Sequence, residues 1–211
     1  MKERVKVRRL DKKITVKRSV EIVDYDPKWP VIYAKEKDRI LSKIGNKIIS
    51  LEHVGSTAVQ GLGAKPIIDI MVAVRRLSDA EECIKPLRSI GYEYFPEHEK
   101  EIPERRYFQK GPEGIPNKHF HLHMVEQDSD FRQKQLLFRD YLRLHPNVAE
   151  QYCKLKRELA RKYVSDREAY TEAKTSFIES VITEARSALK LRRSHCKSVH
   201  IESQVKKAPH R

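Results

Sequence analysis

Two groups of residues in this chain of 211 amino acids have types and spacings suited to chemistry. The first is Glu52-His53-Val54-Gly55-Ser56-Thr57, followed by a loop of mainly small residues to Lys65 and then by Asp69 inside an apolar run, Pro66 to Val74. Glycine lets the backbone approach a ligand closely, and Ser56 supplies a hydroxyl and an exposed N–H. Small residues leaving a strand end favour a nest of amides that can hold phosphate oxygens. Lys65 adds a point charge for the same anion. His53, Gly55, Ser56, Thr57 and Lys65 are therefore the candidate nucleotide- or phosphate-binding set. An aspartate in the middle of an apolar strand needs a partner or a ligand, because burying a lone carboxylate is costly. Asp69 is placed to reach a Mg²⁺ held by such phosphates.

The second group is His119, His121 and His123, which alternate and so project from one face of a strand. Imidazoles on one face suit a transition metal, with Asp69 or His53 completing the shell. They equally suit acid–base work or phosphate contacts. Asp69, His121 and His123 form the candidate catalytic and metal-binding set, with Mg²⁺, Mn²⁺ or a transition metal as the expected cofactor. Arg105-Arg106 is either an anion clamp or a solvated pair. Arg139 is expected to pair with Asp69 or to reach a nucleotide.

These residues need a scaffold. Asp26-Pro27 with Trp29, Ile32, Tyr33, Ile40 and Leu41 at helical spacing predicts a helix ending before Gly45. Residues 48–54 and 66–74 read as strands, the second apolar on both faces and therefore central. Ser78-Asp-Ala-Glu81 reads as a capping box opening a helix to about Gly91. Short strands follow at 92–95, 105–110 and 119–125, with turn chemistry at 111–114. Helices are predicted over 130–144, 147–163 and, from a second capping box at Ser165-Asp-Arg-Glu168, to about Leu191. The charged stretch around Lys154-Leu-Lys-Arg-Glu-Leu159 reads as a solvated face. The order gives an α+β domain, a mixed β-sheet with helices packed on it and a C-terminal helical layer.

The formal charge of +14 is not spread evenly. Residues 1–19 hold nine Lys/Arg against two acids, and residues 186–211 hold eight against one. The remainder is neutral. The three segments are a basic extension at 1–19, one domain at 20–186, and a basic tail at 187–211 that is expected to be disordered. The ends attract polyanions without sequence preference, so non-specific nucleic-acid contact is expected only there. Val5, Val7, Ile14 and Val16 alternate with basic residues, which fits either an added strand or disorder. No apolar run approaches the roughly 20 residues of a membrane span, and the first twenty residues lack a signal peptide's apolar stretch. The cytoplasm is the expected location. Cys83, Cys153 and Cys196 are far apart and form neither a disulfide framework nor a zinc site.

Gly55-Ser56, a gap, then Asp69 resembles the glycine–serine–loop–aspartate pattern of the nucleotidyltransferase superfamily. More closely, Asp26-Pro27…Trp29, Glu52 to Val59, Gly61-Leu62 and Ala64 to Ile70 resemble the GrpB (UPF0157) family. So do His121-Leu122-His123, Phe138 to Arg143, Tyr152…Leu155-Lys156 and Tyr170…Lys174…Phe177-Ile178. The resemblance covers about residues 20–186. It implies a nucleotidyltransferase-like fold, sometimes fused to dephospho-CoA kinase. Metal-dependent nucleotidyl or phosphoryl transfer to a small-molecule acceptor follows as an expectation. Active members of the superfamily place a second acid two residues after the first, and here that residue is Met71. Two carboxylates on one face are what bridge two metal ions. The alternative is therefore a non-catalytic module for a nucleotide or CoA-like anion.

Overall fold

The structure is a computed structural model that describes residues 20–111 and 120–205. His119, the turn beyond Gly111, the basic segment 1–19 and residues 206–211 lie outside the described residues.

Five strands form one sheet in the order β1-β2-β5-β4-β3. They are β1 (Ser50–Val54), β2 (Ile68–Val74), β3 (Glu93–Tyr94), β4 (Arg105–Lys110) and β5 (Phe120–Glu126). β2 is antiparallel to β1 and parallel to β5, while β4 is antiparallel to both β5 and β3. The sheet is thus mixed, as expected.

β2 is apolar on both faces because both are covered. Ile68, Ile70, Val72 and Val74 pack with Ile40, Ile44, Leu87, Leu122 and Met124 under α1 (Trp29–Ile44) and α2 (Glu81–Arg88). On the opposite face, Met71 packs with Val54, Val125, Phe131 and Leu136, the last two carried by α3 (Asp130–Leu144). Behind α3 stand α4 (Pro146–Lys162), α5 (Arg167–Glu172) and α6 (Thr175–Val205), which complete the C-terminal helical layer.

Several local expectations change. Asp26 Oδ1 accepts the Lys28 N–H at 2.9 Å, and α1 begins at Trp29 with Pro30 in its first turn. Ser78 does not cap α2: a short 3-10 turn, Leu77–Ala80, precedes that helix, and the Asp79 carboxylate accepts the Arg76 N–H. Asp166, not Ser165, caps α5 by accepting the Ala169 N–H at 3.0 Å. The single helix expected from there to about Leu191 is two helices, interrupted at Ala173-Lys174. α6 then continues to Val205, so residues 187–205 are helical where a disordered tail was expected. That stretch contains no glycine or proline to stop it.

Candidate functional site

The loop leaving β1 lies directly on Asp69. Gly55 has φ 72°, and a Cβ placed there would stand 2.3 Å from Asp69 Oδ2. Only glycine satisfies both demands. Residues Ser56–Ala58 form a 3-10 turn. Thr57 fixes that turn from beneath, its hydroxyl donating to the Ile67 carbonyl at 2.9 Å. Because that proton is used, His53 Nε2, 3.0 Å from the same hydroxyl, is the donor between them. The His53 ring stacks on Tyr33 of α1 at 4.5 Å. Burial pushes the His53 imidazole down to about 4, so it is neutral near pH 7. His53 and Thr57 therefore support the loop from the α1 side. His53 does not complete a shell around Asp69.

The parallel register of β2 and β5 sets His121 beside Asp69 and His123 beside Met71. His121 Nδ1 is 3.4 Å and His123 Nε2 is 3.7 Å from Asp69 Oδ1. Burial raises the Asp69 carboxyl, but the hydrogen bonds and charge of His121 and His123 outweigh it and hold the group well below the usual range. Burial lowers the His123 imidazole against the pull of Asp69. Tyr107 of β4 closes over both rings, at 5.5 and 5.2 Å. Arg105 is buried behind it, 3.3 Å from His123 Nδ1 and stacked over Tyr107, so it is neither a solvated residue nor an exposed clamp. Arg106 turns the other way, to Glu99 and the Pro103 carbonyl.

Met71 has one carboxylate beside it across the strands, Glu52 of β1. Glu52 is taken by Arg139, which also donates to the His53 carbonyl at 2.9 Å and pairs with Asp140. Arg139 thus ties α3 to β1, and it pairs with Glu52 rather than with Asp69. Among the described residues no group of three or more His, Cys, Asp or Glu is arranged to hold a metal ion. Asp69, His121 and His123 are gathered as an acid held by two imidazoles.

A cavity of about 710 Å³ opens between this loop and the C-terminal layer. Ser56, Lys65, Asp69, Lys156 and Lys174 line it, with an apolar wall that includes Phe131, Phe138, Ile178 and Ile182. Lys156 of α4 is buried and donates to Ser56 Oγ at 3.0 Å and to the Gly63 carbonyl. Lys174 enters from the interruption between α5 and α6. Its ammonium sits 4.4 Å from the Tyr170 ring centre, and Lys65 approaches the same ring at 5.5 Å. Burial, then the neighbouring Lys65, pushes Lys174 down to about 8. Burial also brings Lys156 down to about 7, with Lys174, Lys65 and Arg157 adding to the effect against Cys153. Lys65 is lowered too, by burial and Arg167. Among the described residues none of these three amines makes an ion pair. Such a cluster is costly to hold, and an anion relieves the cost.

Lys156 and Lys174 are the residues that the sequence reading missed as site groups. Lys156 was expected on a solvated face and is 2% exposed. A signal exists in hindsight. Tyr152 precedes Lys156, and Tyr170 precedes Lys174, by four residues each. Each ammonium sits over the ring of its own tyrosine, at 4.7 and 4.4 Å.

The fold and site define a mixed-sheet α+β domain with a cationic cavity at a glycine–serine loop. The family model described as GrpB protein matches residues 19–184, so the chain belongs to the GrpB family. It is 40% identical over 164 residues to the UPF0157 protein YqkA of Bacillus subtilis, covering 78% of this chain and 46% of that protein. This chain thus spans about half the length of that relative. The crystal structure of the conserved protein GrpB from Enterococcus faecalis superposes with a TM-score of 0.72 at 31% identity, covering 80% of this chain and 99% of that one. A dephospho-CoA kinase of Mycolicibacterium paratuberculosis is 27% identical over 175 residues, covering 74% of this chain and 43% of that enzyme. Among the described residues no helix is long and apolar enough to cross a membrane.

Proposed function

We propose that the cavity binds a nucleotide or a related phosphorylated small molecule, and that the chain transfers a nucleotidyl or phosphoryl group from it to a small-molecule acceptor. The observation that carries this reading is the convergence of Lys65, Lys156 and Lys174 on the Gly55-Ser56 turn, without a paired carboxylate among the described residues. The volume, about 710 Å³, lies within the range of small-molecule sites. In this reading the turn and the three amines take the phosphates, and the apolar wall takes the less polar remainder of the ligand. Asp69, ionised and held by His121 and His123, orients the acceptor hydroxyl. His121 is the group within reach to move its proton. Mg²⁺ or Mn²⁺ enters as the counter-ion of the nucleotide substrate.

A second reading is favoured by Met71, which is 1% exposed and packed among apolar side chains where a second carboxylate would be needed. It is a binding module without turnover. The likeness to part of a dephospho-CoA kinase adds CoA-like anions to the ligands worth trying.

The purified chain should be incubated with nucleoside triphosphates, Mg²⁺ or Mn²⁺ and a metabolite mixture, and its melting temperature recorded with each nucleotide and with CoA. Release of diphosphate, NMP or NDP supports transfer. A rise in melting temperature without product supports the module. Neither response, under any of these conditions, defeats both.

A further inference from the structure

Ser56 occupies an unusual position for a simple phosphate contact. Its Oγ lies 3.0 Å from Lys156 Nζ, and Tyr152 lines the same cavity. Lys156 and Tyr152 are buried side chains of α4, one turn apart, while Ser56 itself is half-buried. Lys156 has a second fixed partner, the Gly63 carbonyl, to which it donates. As an ammonium Lys156 donates to both; after losing one proton it can keep the bond to Gly63 and turn its lone pair to the Ser56 hydroxyl at the same 3.0 Å. A base of this kind, next to a serine on a tight glycine turn, is the arrangement that activates a hydroxyl as a nucleophile.

We infer that Ser56 is a nucleophile and Lys156 its general base, and that the cavity passes a phosphoryl or nucleotidyl group through a covalent phosphoserine-type intermediate. This rests on the reading that the cavity takes a nucleotide. In the step, Ser56 Oγ forms a bond to the reacting phosphorus, and the bond from that phosphorus to the leaving oxygen breaks. The leaving phosphate or diphosphate departs with the bonding pair. The Ser56 proton passes to Lys156 Nζ, which becomes an ammonium beside the transferred anion. Lys65 and Lys174, on the same wall, face the charge that builds on the phosphate oxygens. The acceptor hydroxyl then attacks the phosphorus while its proton passes to His121, the bond from Ser56 Oγ to the phosphorus breaks, and Lys156 returns its proton to the Ser56 oxygen. A covalent route divides the transfer into two steps and gives a chain with Met71 in place of the second acid a way to proceed.

The groups facing Lys156 are consistent with a neutral amine near pH 7. Lys65 from the loop, Lys174 from the α5–α6 interruption and Arg157 from α4 oppose its charge, while Cys153 of α4 favours it.

The test uses the full chain with ATP labelled at the α or the γ phosphate, in the presence of Mg²⁺ or Mn²⁺. After an acid quench, the label is located by peptide mass spectrometry. Label on Ser56 is expected, from the γ position for phosphoryl transfer and from the α position for nucleotidyl transfer. Ser56→Ala should lose the label even at ATP concentrations that calorimetry shows to saturate the variant. Lys156→Arg keeps a cation but cannot serve as a base. It should bind ATP within a few-fold of the native chain and label about 10²–10⁴-fold more slowly. Equal labelling in Lys156→Arg overturns the base assignment. As a readout free of substitutions, the native labelling rate should rise with pH through about 7 as ATP binding weakens. A native chain that binds ATP and takes no label overturns the serine step and leaves the binding reading intact. A chain that binds neither ATP nor any other phosphorylated probe overturns both.

Discussion

β2 presents two contrasting faces built from one short run. On one, Ile68, Ile70, Val72 and Val74 are sealed beneath α1 and α2 with Trp29, Ile40, Ile44 and Leu87. On the other, Met71 joins a small apolar group, and one step along the same face Asp69 meets His121 and a cavity. The sealed face contains apolar contacts, and its contribution is stability. The open end holds an ionised carboxylate and, across the cavity, three amines without ion-pair partners among the described residues. That arrangement costs stability in the free chain and is regained when an anion binds. The position of Gly55 marks the border between the two.

Substitutions on the two faces should therefore have opposite signatures. The largest effect is expected from Ile70→Ala on the sealed face, a loss of about 2–5 kcal/mol by denaturant unfolding, with ATP affinity of the folded fraction unchanged. Gly55→Ala at the border should lose about 2–4 kcal/mol, from a left-handed backbone and a clash with Asp69, and should lose ligand affinity as well. Lys174→Met, inside the cavity, should leave the free chain as stable or more stable, and weaken ATP binding about 10-fold or more in calorimetry. If Lys174→Met destabilises the chain by as much as Ile70→Ala does, the contrast between the faces is wrong.

The pH dependence follows from the same contrast. Lys156 and Lys174 are lowered in the folded chain, to about 7 and about 8, from an ordinary value near 10.5. Between those values and 10.5 the unfolded chain binds more protons, so these two groups make the free chain more stable as pH rises above about 7. Anion affinity should run the other way and fall between pH 7 and 8, as the amines lose their charge. His53 adds an effect on the acid side. Its folded value of about 4 lies below the ordinary 6.5, so the stability it contributes is lost as pH falls from about 6.5 toward 4. Thermal melts of the free and ATP-bound chain across pH 4–9 check both signs. The smallest effect is expected from removing residues 1–19. ATP affinity should not change, while salt-sensitive binding to RNA or DNA should weaken.

Much of the scaffold was legible because its signals are local. The apolar run with one aspartate, the glycine at the strand end and the alternating histidines each specify a backbone state and a face. The register that sets His121 against Asp69 is not local, but two well-patterned strands leave little choice of face. Lys156 and Lys174 were harder to find. In the helical pattern of α4, Lys156 looks like its neighbours Lys154 and Arg157, and only tertiary packing buries it. The break at Ala173-Lys174 contains no glycine or proline, so no local rule marks it. It goes with Lys174 turning inward over Tyr170. The contacts of Arg139 and His53 were hard to foresee for the same reason. Their partners, Glu52 and Tyr33, are set by how α3 and α1 cross the sheet.

The most direct test is a calorimetric titration of ATP into the native chain and into a Lys156→Met/Lys174→Met double variant, at low salt and near pH 6, where both amines carry a proton. One ATP should bind per native chain, and the double variant should bind at least about 100-fold more weakly, since two charge-assisted contacts are lost. No binding of ATP, UTP, CoA or tripolyphosphate by the native chain would contradict the assignment of this cavity to a phosphorylated ligand, as would equal affinity in a folded double variant.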